Sequence, residues 1–149
     1  MSHAKVLIVS SLEQREQAFE IRRRVFRNEQ HVPEEEEFDS DDEIATHALA
    51  LVGGQPAGTG RLVMHPDYAK IGRMAVLPEF RGSGVGLAIL HTLMDLATQR
   101  GAKLLMLHAQ VQAIPFYRKA GFAVSSEEFE EAGIPHRRME RPTEAKRQP

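Results

Sequence analysis

The ten residues Leu77-Pro78-Glu79-Phe80-Arg81-Gly82-Ser83-Gly84-Val85-Gly86 restrict this chain more than any other stretch. Ahead of them, Ile71-Gly72-Arg73-Met74-Ala75-Val76 reads as a strand. Behind them Leu87, Leu90, Leu93, Met94 and Ala97 fall on one face of a helix that Gly101 closes. A strand, a glycine-rich turn and a helix start together make an anion-binding corner. The first N–H groups of a helix have no acceptor within it, and the helix dipole sets about half a positive charge beside them. Two nucleotide patterns built on such a corner do not fit. The Walker pattern needs Gly-Lys-Ser/Thr, and no lysine follows these glycines. The dinucleotide pattern G-x-G-x-x-G, begun at Gly82, meets Leu87 where its third glycine belongs. It then meets Lys103-Leu104-Leu105 where an acidic residue is expected. A plain strand-to-helix turn without a ligand is the bland alternative.

The remaining segments can be arranged around that corner. Val6-Leu7-Ile8-Val9 is strand-like, and Ser10-x-x-Glu13 reads as a capping box. Ala18, Ile21 and Val25 then recur at helical spacing, which predicts a helix over 12–28. Residues 31–45 contain Pro33 and no periodicity, and read as a loop that can include a short helical turn. Strands are expected over 46–52 and 57–65, joined by Gly53-Gly54-Gln55-Pro56, and again over 104–108. A short helix over 113–120 ends at Gly121; further strands start at Phe122 and cover 136–140, and the tail 141–149 reads as frayed. With 149 residues, no repeat and no linker, the expectation is one domain over 1–149. Its class is α+β, with a mixed sheet.

Composition narrows the chemistry. There is no cysteine, which excludes disulfides, thiolate nucleophiles and cysteine-bound zinc or iron–sulfur clusters. The formal net charge of −2 is unevenly spread. Residues 34–43 hold eight acidic side chains and no basic one, leaving 19 basic against 13 acidic elsewhere. A basic body suits an anionic ligand, although a solvated mixed surface would look the same. Asp39-Ser40-Asp41-Asp42 lacks the glycine of a calcium loop, and no H-E-x-x-H spacing occurs, so no metal is expected. Basic residues are not interleaved with aromatics, which argues against nucleic acid. No apolar run nears the ~20 residues that span a bilayer, and no secretory pattern opens the chain. The expected setting is cytoplasmic.

Arg81-x-x-Gly84-x-Gly86 fits the R/Q-x-x-G-x-G/A pattern of the GNAT superfamily of acyl-CoA-dependent N-acetyltransferases. Val76-Leu77-Pro78-Glu79-Phe80-Arg81-Gly82 resembles that family's entry to the loop. Ala113-Ile114-Pro115-Phe116-Tyr117-Arg118-Lys119-Ala120-Gly121-Phe122 is similar to its A-x-x-F-Y-x-x-x-G-F element. Arg24-Val25-Phe26-Arg27-Asn28-Glu29-Gln30, followed by Glu37, Asp39, Asp42 and His47, resembles a small bacterial branch; so does Gly133-Ile134-Pro135-His136. The resemblance covers residues 5–140. It implies a mostly antiparallel mixed sheet flanked by helices, with two central strands splayed around the pantetheine arm of acetyl-CoA.

The resemblance also assigns roles. The pyrophosphate would lie on the N–H groups of Gly82, Ser83, Gly84, Val85 and Gly86, with Arg81 and Phe116 nearby. The backbone of Ala75 and Val76 would face the pantetheine and the acetyl carbonyl. Tyr117 takes the family's tyrosine position, as the acid for the leaving thiolate; a packed core tyrosine is the alternative. Many relatives place a glutamate in the fourth strand as base, whereas 70–76 holds no acid. His136 is the substitute, by likeness to a Gly-x-Pro-His branch that includes glyphosate-acetylating enzymes, and an imidazole of pKa about 6.5 suits the task. His108 comes second and His47 third. For the acceptor, Arg27, Arg73 and His47 are candidate contacts. Arginines would favour a carboxylate- or phosphonate-bearing amine, and the acidic loop a polycationic one. The expected activity is transfer of acetyl from acetyl-CoA to the primary amine of a small molecule by direct attack. A catalytically silent CoA-binding sensor on the same fold is the alternative. Oligomeric state is left open, a homodimer included.

Overall fold

The computed structural model describes residues 3–144. Eight strands form one sheet: β1 (Ala4–Ile8), β2 (Thr46–Val52), β3 (Gln55–Met64), β4 (Ala69–Val76), β5 (Leu104–Gln110), β6 (Ala123–Val124), β7 (Phe129–Glu131) and β8 (Ile134–Pro142). Their order is β1-β2-β3-β4-β5-β8-β6, with β7 paired to β8. Every pair is antiparallel except β4–β5. Helix α1 (Leu12–Arg22) continues as a π-helical stretch, Arg23–Glu29; two four-residue helices follow, α2 (Glu34–Glu37) and α3 (Asp41–Ile44). After β4 come α4 (Val85–Gln99) and, after β5, α5 (Ile114–Lys119).

The sheet is buried on both faces. Leu62, Ile71, Leu105 and Leu107 pack with Ile89, Leu90 and Leu93 of α4, while Leu49, Ala75 and Leu77 pack with Ala18, Ile21 and Val25 of the first helix. In β5 burial alternates, with Leu105, Leu107 and Ala109 buried and Met106, His108 and Gln110 half-buried, as strand pleating requires. Helix α4 lies close to β3 because β3 carries glycines there. A Cβ on Gly60 would stand 2.8 Å from Met74 Sδ and 2.9 Å from Ile89 Cγ2; one on Gly58 would stand 2.8 Å from Ile89 Cδ1.

The parallel pair is short. Ala69, Lys70 and Ile71 pair with Leu105, Met106 and Leu107, and no ladder joins β4 to β5 beyond them. On its other side β4 stays paired with β3 to Val76, across a bulge that sets Arg73 and Met74 against Gly60, with Arg73 at φ +49°. The two central strands therefore splay into a V.

Several expectations shift. The α1 cap is Ser11, whose Oγ accepts from Gln14 N–H at 3.1 Å, while Gln14 Oε1 accepts from Ser10 N–H at 2.7 Å. The N-cap is thus one residue later than Ser10-x-x-Glu13 placed it, and the returning side chain, Gln14, reaches the residue before the cap. The helix predicted over 12–28 is continuous, but its last part is π-helical, closed by Gln30 N–H on Val25 O at 3.0 Å. The loop 31–45 is instead mostly α2 and α3, held by ion pairs described below. Residues Phe129–Glu131, given no strand from sequence, hairpin onto β8 through Ala132 (φ +52°) and Gly133 (φ +75°), the signature of a two-residue primed turn. The tail is not frayed where it is described. Arg141 and Pro142 lie in β8, Arg141 Nη1 donates to Ala120 O at 2.9 Å, and Thr143 N–H donates to Lys103 O at 3.0 Å. Residues 145–149 lie outside the described residues.

Candidate active site

The V between β4 and β5 opens into a cavity of about 720 Å³. Its walls include Arg73, Met74, Ala75 and Val76 of β4, His108 and Gln110 of β5, Tyr117 of α5, Glu131 of β7, and Ile134 and His136 near the start of β8. Arg61 and Lys70 line it from β3 and β4, and Val25, Phe26, Glu37, Asp39 and Asp41 from the first three helices and their joins. Arg81 closes the end nearest α4.

Both histidines face this space with one nitrogen already used. His136, 6 % exposed, sets Nδ1 2.7 Å from Ile134 O, and a carbonyl only accepts; Nδ1 therefore carries the proton and Nε2 the lone pair in the neutral ring. His108 Nδ1 lies 2.8 Å from Glu131 Oε1. That hydrogen bond, with the nearby charges of His108, His136 and Lys70, outweighs burial and holds the Glu131 carboxyl down at about 2. The Phe129 ring stands near-perpendicular to His108 and stacks on His136.

Tyr117 is buried between Phe116 and Phe122, both edge-on to it, and burial pushes its phenol up to about 12. It stays protonated, a donor, at any ordinary pH.

The acidic segment is built into the fold. Arg22, 1 % exposed, gives Nε to Glu37 Oε2 at 2.6 Å and Nη1 to Asp42 Oδ1 at 2.7 Å, with Phe19 and Phe38 on its two faces. Arg61 Nη1 donates to both Asp39 (2.7 Å) and Asp42 (2.8 Å). Arg73 bridges Asp39 Oδ2 at 3.1 Å and the carbonyls of Glu36 and Glu37. Burial alone would raise Asp42, but hydrogen bonds and charge from Arg22 and Arg61 hold it at about 2. Glu37, 2 % exposed, is pushed up by burial, and its Oε1 has no hydrogen-bond partner. Three arginines and three carboxylates thus neutralise one another, and neither set is left to select an acceptor by charge.

At the glycine turn, Gly82 (φ +77°) and Gly84 (φ +86°) take left-handed conformations, and Gly84 is the N-cap of α4. The first α-helical bond runs from Ala88 N–H to Gly84 O at 3.0 Å, so the N–H groups of Val85, Gly86 and Leu87 precede it. Gly86 lies against Phe116 and Val76. Arg81 donates Nε to Val76 O at 2.9 Å and pairs with Glu29 at 2.7 and 2.8 Å.

Of the residues singled out from sequence, Arg73, Ala75, Val76, Arg81, His108, Tyr117 and His136 line the cavity together. Gly82, Ser83, Gly84, Val85, Gly86 and Phe116 do not line it; they form the α4 turn and its α5 neighbour. Arg27 points elsewhere, to Glu34 at 2.8 Å, and lines a separate shallow surface pocket. His47 is buried away from the cavity, with Nε2 3.1 Å from Asp42 O and its ring against Phe19. Sequence reasoning missed Lys70, Gln110 and Glu131, and missed Arg61 and Arg22 as partners of the acidic segment. An arginine and a lysine inside otherwise apolar strands, at 61 and 70, were the available signal. Among the described residues no His, Asp or Glu cluster of metal-binding size occurs, and no helix is long and apolar enough to cross a membrane.

Comparison with known proteins gives consistent likenesses. The model of the acetyltransferase (GNAT) domain family matches residues 8–142. The chain is 43 % identical over 136 residues to YjcF of Bacillus subtilis, an uncharacterized N-acetyltransferase, covering 91 % of this chain and 97 % of that one. A crystal structure from Lactobacillus plantarum superposes with a TM-score of 0.86 at 28 % identity, over 93 % and 97 % of the two chains. That of an acyl-CoA N-acyltransferase from Pseudomonas aeruginosa gives 0.82 at 26 %, over 95 % and 99 %.

Proposed function

The chain belongs to the GNAT acetyltransferase family, and on that premise we propose that it moves the acetyl group of acetyl-CoA to the primary amine of a small molecule by direct attack. The observation that carries this reading is the V between β4 and β5, where Tyr117, His108 and His136 share one cavity. The residues suit the cosubstrate. Past Ile71 the β5 side of β4 has no strand partner, which leaves room for an extended amide-bearing arm, and the α4 turn offers N–H groups to a pyrophosphate. When bound, acetyl-CoA supplies the activated thioester carbonyl.

Each side chain then has a task. The amine must be neutral to attack, and His136 takes its proton on Nε2, since Nδ1–H is tied to Ile134 O. His108, fixed the same way by Glu131, is the second candidate base. The N–H of Ala75 or Val76 polarises the acetyl carbonyl. Tyr117 meets charge growing on the leaving sulfur. A phenol near 12 facing a thiol near ~8.5 makes full proton transfer about 5 kcal/mol uphill. Tyr117 therefore acts by donating a hydrogen bond as that charge develops.

One observation favours a second reading. β4, Ala69–Val76, carries no carboxylate where many relatives have their base, as a CoA-binding protein without catalysis would. Thiol release with acetyl-CoA across a panel of primary amines tests the choice: amine-dependent release supports the enzyme. Silence in every amine, with acetyl-CoA still raising Tm, supports the binder.

A further inference from the structure

The basic side chains lining the cavity are nearly all committed to carboxylates, whereas the Glu36 and Asp41 carboxylates at its rim have no basic partner closer than 4.0 Å among the described residues. Arg61 and Arg73 hold Asp39, Arg81 holds Glu29, and Glu131 accepts a hydrogen bond from His108 Nδ1–H. Lys70 is the exception among these bases: among the described residues its ammonium has no carboxylate within 4.0 Å and no hydrogen bond. It is half-buried, on the cavity face of β4, at the part of the strand still paired with β5. A half-buried lysine without a carboxylate partner is partly desolvated, and that burial lowers its proton affinity. An anion arriving in the cavity would offset that desolvation.

Position identifies whose anion it is. Lys70 lies six residues before Val76 along β4, roughly 20 Å from the strand end that leads into the α4 turn. It is thus far from the N–H groups suited to a pyrophosphate. Its electrostatic neighbours are Glu131, Asp41, Arg61 and Arg73, and Glu131 also senses His108 and His136. Lys70 therefore belongs to the end of the cavity where an amine would surrender its proton. Resting on the acetyltransferase reading, we infer that Lys70 anchors an anionic group carried by the acceptor amine itself. The acceptor class is then an amine bearing a carboxylate or phosphate, such as an amino acid. This choice does not come from the arginines, which Glu37, Asp39 and Asp42 neutralise, nor from those three carboxylates, which the arginines neutralise in turn.

The test compares matched amines: alanine with ethylamine, phenylalanine with phenethylamine, and phosphoethanolamine with ethanolamine. The anionic member of at least one series is expected to show kcat/KM about tenfold to a hundredfold higher, the worth of a hydrogen bond to a charged group. Which series responds separates carboxylate from phosphate. Lys70→Met should bring that ratio to near one through KM, and Lys70→Arg should retain most of it. Equal rates within every pair, or a preference that survives Lys70→Met, would overturn the inference while leaving the acetyltransferase reading intact. A binding arm needs no turnover. With the protein saturated in CoA, N-acetylalanine or N-acetylphosphoethanolamine should raise Tm where N-ethylacetamide does not, and Lys70→Met should lose that rise. The same Tm for all three probes overturns the inference even if no amine is acetylated.

Discussion

His108 donates its Nδ1–H to Glu131 Oε1 across 2.8 Å, a carboxylate whose pKa is held down at about 2. His136 makes the parallel arrangement with Ile134 O at 2.7 Å. In both neutral rings Nε2 is left as the acceptor. His136→Ala is expected to lower kcat/KM by about 10²- to 10⁴-fold at neutral pH. The loss should shrink as pH rises and the amine sheds its proton unaided. A rate profile from about pH 6 to 10, run beside His108→Ala, checks this. A loss that stays constant with pH would remove the histidine from the base role.

Tyr117 has a different signature. With its phenol near 12, the rate should show no alkaline fall from this group below about pH 11. Tyr117→Phe keeps the ring between Phe116 and Phe122 but removes the donor. We expect kcat to fall about 10²-fold with acetyl-CoA affinity kept. Weaker acetyl-CoA binding at unchanged kcat would make Tyr117 a packing residue.

The ion cluster governs stability. Asp42→Ala removes one of two carboxylates from each of Arg22 and Arg61, leaving them Glu37 and Asp39, and the loss of one partner from a buried ion pair costs about 3–5 kcal/mol. Thermal melting should show Tm lower by roughly 10 °C. The pH dependence has a definite sign. The folded-state pKa of Asp42 is depressed from 3.8 to about 2, so its contribution, about 2 kcal/mol, is complete above the ordinary value and disappears as pH falls through the folded one. The wild type should lose stability on acidification between about pH 5 and 2, and Asp42→Ala should lose less over that window.

Gly60 and Gly72 make a contrasting pair. Gly60→Ala forces a Cβ against Met74, Ile89 and Leu93 at 2.8–3.0 Å, whereas Gly72→Ala meets nothing within 4 Å. Overpacking at Gly60 should cost about 1–3 kcal/mol. Two of the three crowded side chains, Ile89 and Leu93, belong to α4, so strain passed to that helix should also weaken acetyl-CoA binding at its first turn. Gly72→Ala should melt within about 0.5 kcal/mol of wild type. Equal stability for the two variants would mean that α4 does not need the close approach.

The fold was legible where one local rule decided it. The apolar stripe of α4, Gly101 after it and the pleated burial of β5 were all visible in the residue pattern. The splay was expected from the loop motif's family resemblance, and the three-residue β4–β5 ladder realises it. Long-range pairing was less legible. Asp42 and Arg61 lie far apart in sequence, and nothing local in a run of acids tells a solvated loop from the buried half of an ion network. Glu131 escaped for the same reason. Its importance depends on a two-residue turn that folds β7 back onto β8, and Ala132 is not a residue that usually marks such a turn. His47 and Arg27 were chosen for their chemistry, but the first is held under the ion cluster and the second by Glu34.

Acetyl transfer to an amine, proposed for this cavity, must yield thiol and amide together. The most direct measurement follows both products, free thiol and N-acetylated amine, from acetyl-CoA and the matched amines, with acetyl-CoA binding recorded by thermal shift on the same protein. At 100 times Kd, acetyl-CoA should add about 2.7 kcal/mol of stability. Thiol and amide should then appear in equal amounts, at a rate that depends on the amine and collapses in Tyr117→Phe and His136→Ala. Stabilisation by acetyl-CoA with no amide formed from any amine would contradict the account.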